Sequence, residues 1–86
     1  MKPYLDEAVG EQEIIRTFDE TIDPVELMWH RDDEDRLIES VGETDWLIQV
    51  EDTLPVIFSE PIMIRRHVWH RLIKGTGNLT VRIKKM

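Results

Sequence analysis

The feature that most limits what this chain can fold into is the period of its apolar residues, which alternate in short runs and break at turn residues about every ten positions. Leu79, Val81 and Ile83 alternate with Thr80, Arg82 and Lys84, a period of two that sends one side of a strand inward and the other to water. Trp46, Ile48 and Val50 alternate in the same way with Leu47 and Gln49. Further strand-like runs cover residues 13–18, 25–30, 36–41, 54–58, 62–65 and 68–73, and in the second of these Val25, Leu27 and Trp29 share a face. Turns are read at 21–24, at Gly42, at Asp52-Thr53, at Glu60-Pro61 and at 75–78. About eight short strands with no long helical crossover predict an all-β chain, a small antiparallel jelly-roll barrel. Closure would also hide residues 54–58, a sticky edge if left open. Only the N-terminus leaves room for helix, and no internal repeat is read.

Eighty-six residues lie near the lower limit for burying one hydrophobic core, so a single domain over 1–86 is expected, with 1–12 as an N-terminal arm. A second copy or a bound metal would add stability to so small a core, which makes a homodimer the expected assembly. The chain has no cysteine, which excludes a disulfide framework, a thiolate metal site and a cysteine nucleophile. Neither a signal-peptide run nor a membrane-length apolar stretch is read, so the expected location is the cytoplasm and no membrane partner is expected.

The formal net charge of −7 hides a segregation of charge. All 18 acids lie between Asp6 and Glu60, and over residues 1–60 the basic residues are Lys2, Arg16, Arg31 and Arg36. From Pro61 onward stand Arg65, Arg66, Arg71, Lys74, Arg82, Lys84 and Lys85, with no acid among them. A basic third can hold an anion or nucleic acid, but a fold that brings both ends together pairs it with the acidic part instead. The second reading is preferred, because so acidic a surface repels a phosphate backbone.

Three histidines, His30, His67 and His70, stand near Asp32, Asp33, Glu34 and Asp35. Imidazole with carboxylate is the ligand chemistry of iron(II), manganese, nickel and zinc. Strand phase puts Val68, His70 and Leu72 on one face and His67, Trp69, Arg71 and Ile73 on the other, so His70 is expected inside and His67 away from it. Around His30 the inward face stays open. Candidate metal ligands are therefore His30, Asp32, Glu34, Asp35 and His70. Arg36, Arg71 and His67 are candidate ligand-binding residues, though for the two arginines the salt-bridge reading is preferred.

In the run from Ser59 to His70 the spacing resembles the second motif of the cupin family, a turn, a strand and a histidine ligand, with His70 at the histidine. Glu60-Pro61 stands where the family has a glycine-aspartate turn, and Arg65 where it has proline. Counting back from Gly42 through the first motif puts Asp35 at the glutamate, His30 at the second histidine and Met28 at the first. A shifted alignment puts His30 first and Asp32 second. Either alignment lacks one family histidine. The segment 29–36 taken with 70–75 is also similar to small cupin-like proteins of bacteria and bacteriophages.

This resemblance, which covers residues 25–83, implies a polar pocket inside one end of the barrel. The expected function is binding of a small polar molecule in that pocket, with a divalent metal (iron, manganese, nickel or zinc) or without one. The alternatives are a metal-dependent enzyme of dioxygenase or isomerase type and a non-catalytic phage or bacterial interaction protein. No catalytic residue is assigned.

Overall fold

The computed structural model describes residues 4–21 and 27–86. Eight strands follow in chain order: β1 (Tyr4–Ala8), β2 (Glu13–Phe18), β3 (Arg36–Ser40), β4 (Leu47–Val50), β5 (Val56–Ile57), β6 (Ile62–Ile64), β7 (His70–Ile73) and β8 (Leu79–Lys85). They form two antiparallel sheets, one in the order β1-β2-β8-β3-β6 and one in the order β5-β4-β7. Among the described residues there is no α-helix, hence none long and apolar enough to cross a membrane.

Register decides which side chains meet between the sheets. In the larger sheet Phe18 pairs with Leu79, Arg16 with Val81 and Ile14 with Ile83, while Ile38 pairs with both Ile83 and Ile62. Because alternate residues share a face, the inner face carries Phe18, Leu79, Val81, Ile83, Ile38 and Ile64, and with them Arg16 and Arg36. The smaller sheet answers with Trp46 and Ile48, and Leu72 opposite Ile48 packs against the same core. Trp46 and Leu79 are fully buried, and each such side chain contributes roughly 1.5–3 kcal/mol by leaving water. The Trp46 indole nitrogen donates to the Gly77 carbonyl at 3.0 Å, so its one polar atom is satisfied.

The turns obey their residues. Gly42 and Gly77 take φ of 85° and 70°, where a side chain is strained. At Gly75 a Cβ would collide with the Asp45 carboxylate and lie 2.8 Å from the Trp46 nitrogen, and the same carboxylate accepts from the Thr76 N–H at 2.8 Å and hydroxyl at 2.7 Å.

The segregated charges meet as the pairing reading expected. Arg82 of β8 reaches Glu13 at 3.3 Å and Glu39 at 3.7 Å on the strands to either side, Lys85 reaches Glu34 at 3.6 Å, and Arg65 reaches Asp35 at 3.5 Å.

Four expectations need correction. The N-terminal arm, the one stretch left open to helix, holds strand β1, because its residues pair along β2 from Tyr4↔Phe18 to Ala8↔Ile14. Of the strand expected over 25–30, residues 25 and 26 lie outside the described residues, and 27–29 are not strand. Among the described residues of this segment, the one β-bridge is that between His30 and His70. The sheets do not close into a barrel, so the jelly roll is an open one with β1, β6, β5 and β7 as edges, the last met by the His30 bridge. The run 54–58 narrows to the two-residue β5 on such an edge, with Val56 and Ile57 both exposed; its shortness, with Pro55 before it, limits pairing there.

Candidate metal centre and its cavity

The antiparallel bridge joins His30 and His70 by two hydrogen bonds, His30 N–H to the His70 carbonyl at 3.0 Å and His70 N–H to the His30 carbonyl at 2.9 Å. It brings the two rings edge to face, their centroids 4.3 Å apart. Asp32, two residues beyond His30, falls on the same side. Ligand atoms of His30, Asp32 and His70 all lie within 4.8 Å of one another.

Both histidines are oriented by the same local device. Nδ1 of His30 is 3.0 Å from the Met28 carbonyl and Nδ1 of His70 is 2.9 Å from the Val68 carbonyl. A carbonyl only accepts, so Nδ1 carries the hydrogen in each ring and Nε2 of the neutral ring is left with its lone pair. Nε2 of His70 lies 3.2 Å from Asp32 Oδ2, yet that oxygen is buried with no aligned hydrogen bond. A lone pair facing a carboxylate at this distance is repulsive unless a proton or a metal ion lies between them, and an unmet buried oxygen costs about 1–3 kcal/mol. The donor set fits a cation.

Ionisation favours the same occupant. Burial lowers the pKa of His30, helped by the neighbouring His70 and Arg36 and opposed by the Met28 carbonyl and Asp32. The residue as a whole is exposed; the lowering reflects how its ring is enclosed against His70. For Asp32 burial alone would raise the pKa, but His70 and Arg36 outweigh it and the net direction is down. The centre thus presents a neutral imidazole and an ionised carboxylate, the forms a metal binds.

The other candidate residues are placed differently. Glu34 turns to Arg36 at 3.1 Å and Lys85 at 3.6 Å. Asp35 accepts from the Arg66 N–H at 2.7 Å, which lowers its pKa. His67 sits in a turn at φ 65°, exposed, 3.5 Å from Asp33, and its N–H holds the Asp32 carbonyl at 2.8 Å. Arg36 reaches Asp32 at 3.4 Å and lines the cavity described below, while Arg71 donates to Gln49 at 2.9 Å and lies over Trp29. Of the two first-motif alignments, the cluster corresponds to the one with His30 first and Asp32 second.

Trp-His-Arg occurs twice, at 29–31 and 69–71. With His30 opposite His70, antiparallel register sets residue 29 against 71 and 31 against 69, and the Arg31 guanidinium stands 5.1 Å from the Trp69 ring centre and that of Arg71 5.0 Å from Trp29. These crossed cation–π contacts flank a bridge of only two hydrogen bonds and hold its register. A search for repeated triplets would have found them; that they pair depends on the fold.

Behind the centre lies a cavity of about 380 Å³ between the sheets. Tyr4 and Arg16 line it from β1 and β2, a contribution the sequence did not signal. Arg16 lies 3.7 Å over the Tyr4 ring and makes two bonds to Asp6, of 2.7 and 3.0 Å.

The sequence matches no protein-family model, and no curated protein matches it. Solved structures do match. A cupin domain from Bordetella pertussis Tohama I superposes with a TM-score of 0.58 at 14% identity, covering 96% of this chain and 91% of that one. This chain has a cupin fold. A second similar structure, protein NMB1881 from Neisseria meningitidis, has a TM-score of 0.61 at 13% identity and covers 96% of this chain and 81% of that one. In this cupin fold, then, the donor cluster lines a half-open cavity between the two sheets.

Proposed function

We propose that this chain is a small-ligand-binding protein of cupin fold, whose pocket holds a divalent metal ion on His30, Asp32 and His70. The observation that carries the reading is the convergence of two Nε2 lone pairs and one unpartnered carboxylate oxygen, each held in place by other bonds. Iron(II), manganese, nickel and zinc all accept imidazole and carboxylate together. Such an ion supplies Lewis acidity, or redox chemistry if it is iron. His30 and His70 would hold it through Nε2 and Asp32 through its carboxylate, while Arg36 holds Asp32.

The test is elemental analysis of the untagged, purified protein. Stoichiometric divalent metal is expected in the wild type and in His67→Ala, and its loss in His70→Ala. A wild-type protein that takes up none of the four ions would sink the proposal. A metal-dependent enzyme of dioxygenase or isomerase type is the second reading, favoured by the coordination positions that three protein ligands leave open. Oxygen uptake by the iron(II)-loaded protein in the presence of small organic acids would support the dioxygenase form.

A homodimer belongs to the same proposal, supported by the exposed edge at Val56 and Ile57 and by exposed Leu54 and Met63. Sedimentation at micromolar concentration is expected to give twice the 10.2 kDa chain mass, and a clean monomer would refute it.

A further inference from the structure

The apolar alternation on the inner face of the larger sheet is broken in β2. Arg16 stands there between Ile14 and Phe18, opposite Val81 of β8. Its side chain is 14% exposed and lines the cavity together with Tyr4. A charge on the core side of a strand is costly unless it is paired, and this one is paired. Asp6 of β1 accepts from its Nε at 2.7 Å and its Nη2 at 3.0 Å, and the guanidinium stacks on the Tyr4 ring at 3.7 Å. The five N–H groups of a guanidinium lie in one plane. Asp6 takes two of them, and among the described residues no other acceptor takes the remaining three. They adjoin a cavity of about 380 Å³, larger than the voids a packed interior leaves empty.

This pole is separate from the donor cluster. Arg36, which reaches Asp32 at 3.4 Å, stands opposite Lys85 on one side of β8, and Arg16 stands opposite Val81 on the other. Residues 81–85, about 13 Å of strand, lie between the two levels, and Ile83 with Ile38 beside it lines that stretch. Asp6 also sets the chemistry. Because its carboxylate cancels the Arg16 charge, the pole offers strong donors without net charge. A neutral oxygen gains those hydrogen bonds, whereas an anion would also meet the repulsion of Asp6.

We infer that the β1–β2 end of the cavity is a second recognition pole, where Arg16 donates to a neutral carbonyl or hydroxyl oxygen of a mostly apolar ligand. The inference rests on the ligand-binding reading above and adds what the ligand carries at the end away from the donor cluster.

Three probes of one shape test it by calorimetric titration of the full chain as purified. Acetophenone has a neutral carbonyl, α-methylstyrene a methylene in its place, and benzoate a charge. The wild type should bind acetophenone at least about tenfold more tightly than benzoate; the reverse order would overturn the neutral class. Asp6→Asn leaves the Arg16 charge uncancelled and should raise the affinity of benzoate relative to acetophenone at least about tenfold, and no rise would overturn the role given to Asp6. In Asp6→Asn combined with Arg16→Met, acetophenone should lose at least about tenfold relative to α-methylstyrene; an unchanged ratio would overturn the placement at Arg16. The infrared carbonyl stretch of acetophenone bound to the wild type decides the point even if the variants do not fold. It should lie at or below its frequency in water, and the higher frequency found in hydrocarbon solvents would overturn the hydrogen bond. Probe binding that is indifferent to Arg16 overturns this inference alone. Failure of all three probes to bind overturns the ligand-binding reading beneath it as well.

Discussion

The two Trp-His-Arg triplets share a sequence and a local geometry, and differ in what supports them. His70 begins β7, is 4% exposed and stands opposite Val50 of β4 within the smaller sheet. His30 is exposed, follows a stretch that is not strand and touches a backbone ladder only through the bridge. Each ring is aimed by the carbonyl two residues before it. Aim is therefore local, while position is not: the sheet holds one imidazole in place, and the other is held by two hydrogen bonds flanked by two arginine–tryptophan contacts. The second half of the centre is the half that can come apart.

The largest effects should come from the imidazoles themselves. His70→Ala is expected to abolish metal binding and to lower stability by about 1–3 kcal/mol, because it empties a buried, hydrogen-bonded position. His30→Ala should abolish metal binding at a smaller cost in stability, and His67→Ala should do neither. Metal content and melting temperature on the three variants check this, and equal losses of stability at 30 and 70 would break the contrast.

Smaller changes are expected from the contacts around the bridge. Removing the guanidinium in Arg31→Ala or the indole in Trp69→Ala deletes a cation–π contact worth about 0.5–1 kcal/mol, so metal affinity should fall about two- to fivefold though neither side chain touches the ion. The double variant should be no worse than the more damaging single one. In native-state hydrogen exchange, the His30 and His70 amides of the bridge should exchange faster than the amides joining β4 to β7. Equal protection would mean that the His30 segment is as firmly held as the sheet.

The smallest expected effect is on the acid limb of stability. The folded pKa of His30 lies below its unfolded value near 6.5, so between the two the unfolded chain binds more protons and stability rises with pH. Its contribution is complete above about 6.5 and fades as pH falls through the folded pKa. Asp32, also lowered, contributes above its unfolded value near 3.8 and loses that contribution as pH falls through its folded one. His30→Gln should flatten the first slope and leave the second; an unchanged profile in chemical denaturation would contradict the shift. Any bound metal should leave below roughly pH 6 as protons take the imidazoles.

Legibility divided along physical lines. The alternation in 79–83 and 46–50 made β8 and β4 readable, since a strand with one face in the core must carry the period of its pleat. The same phase placed His70 inside and His67 outside. Residues 27–29 carry apolar Leu27 and Trp29 two positions apart, as a strand would, but Leu27 is buried and Trp29 exposed, and among the described residues no strand ladder forms there. The three tryptophans look alike as residues, yet Trp46 fills the core and Trp29 and Trp69 sit outside under arginines.

By itself the sequence determined the all-β class, the turns at Gly42, at Asp52-Thr53 and at 75–78, the complementary charges of the two ends and the inward phase of His70, all consequences of local period and residue type; the turn read at 21–24 lies mostly outside the described residues. Tertiary structure alone decided that β1 adds to the larger sheet, that the jelly roll stays open, that Asp32 rather than Glu34 or Asp35 joins the histidines, and that two distant Trp-His-Arg triplets face each other. The last of these depends on register between segments 40 residues apart. Local pattern says which way a side chain points, but not which strand it will find there.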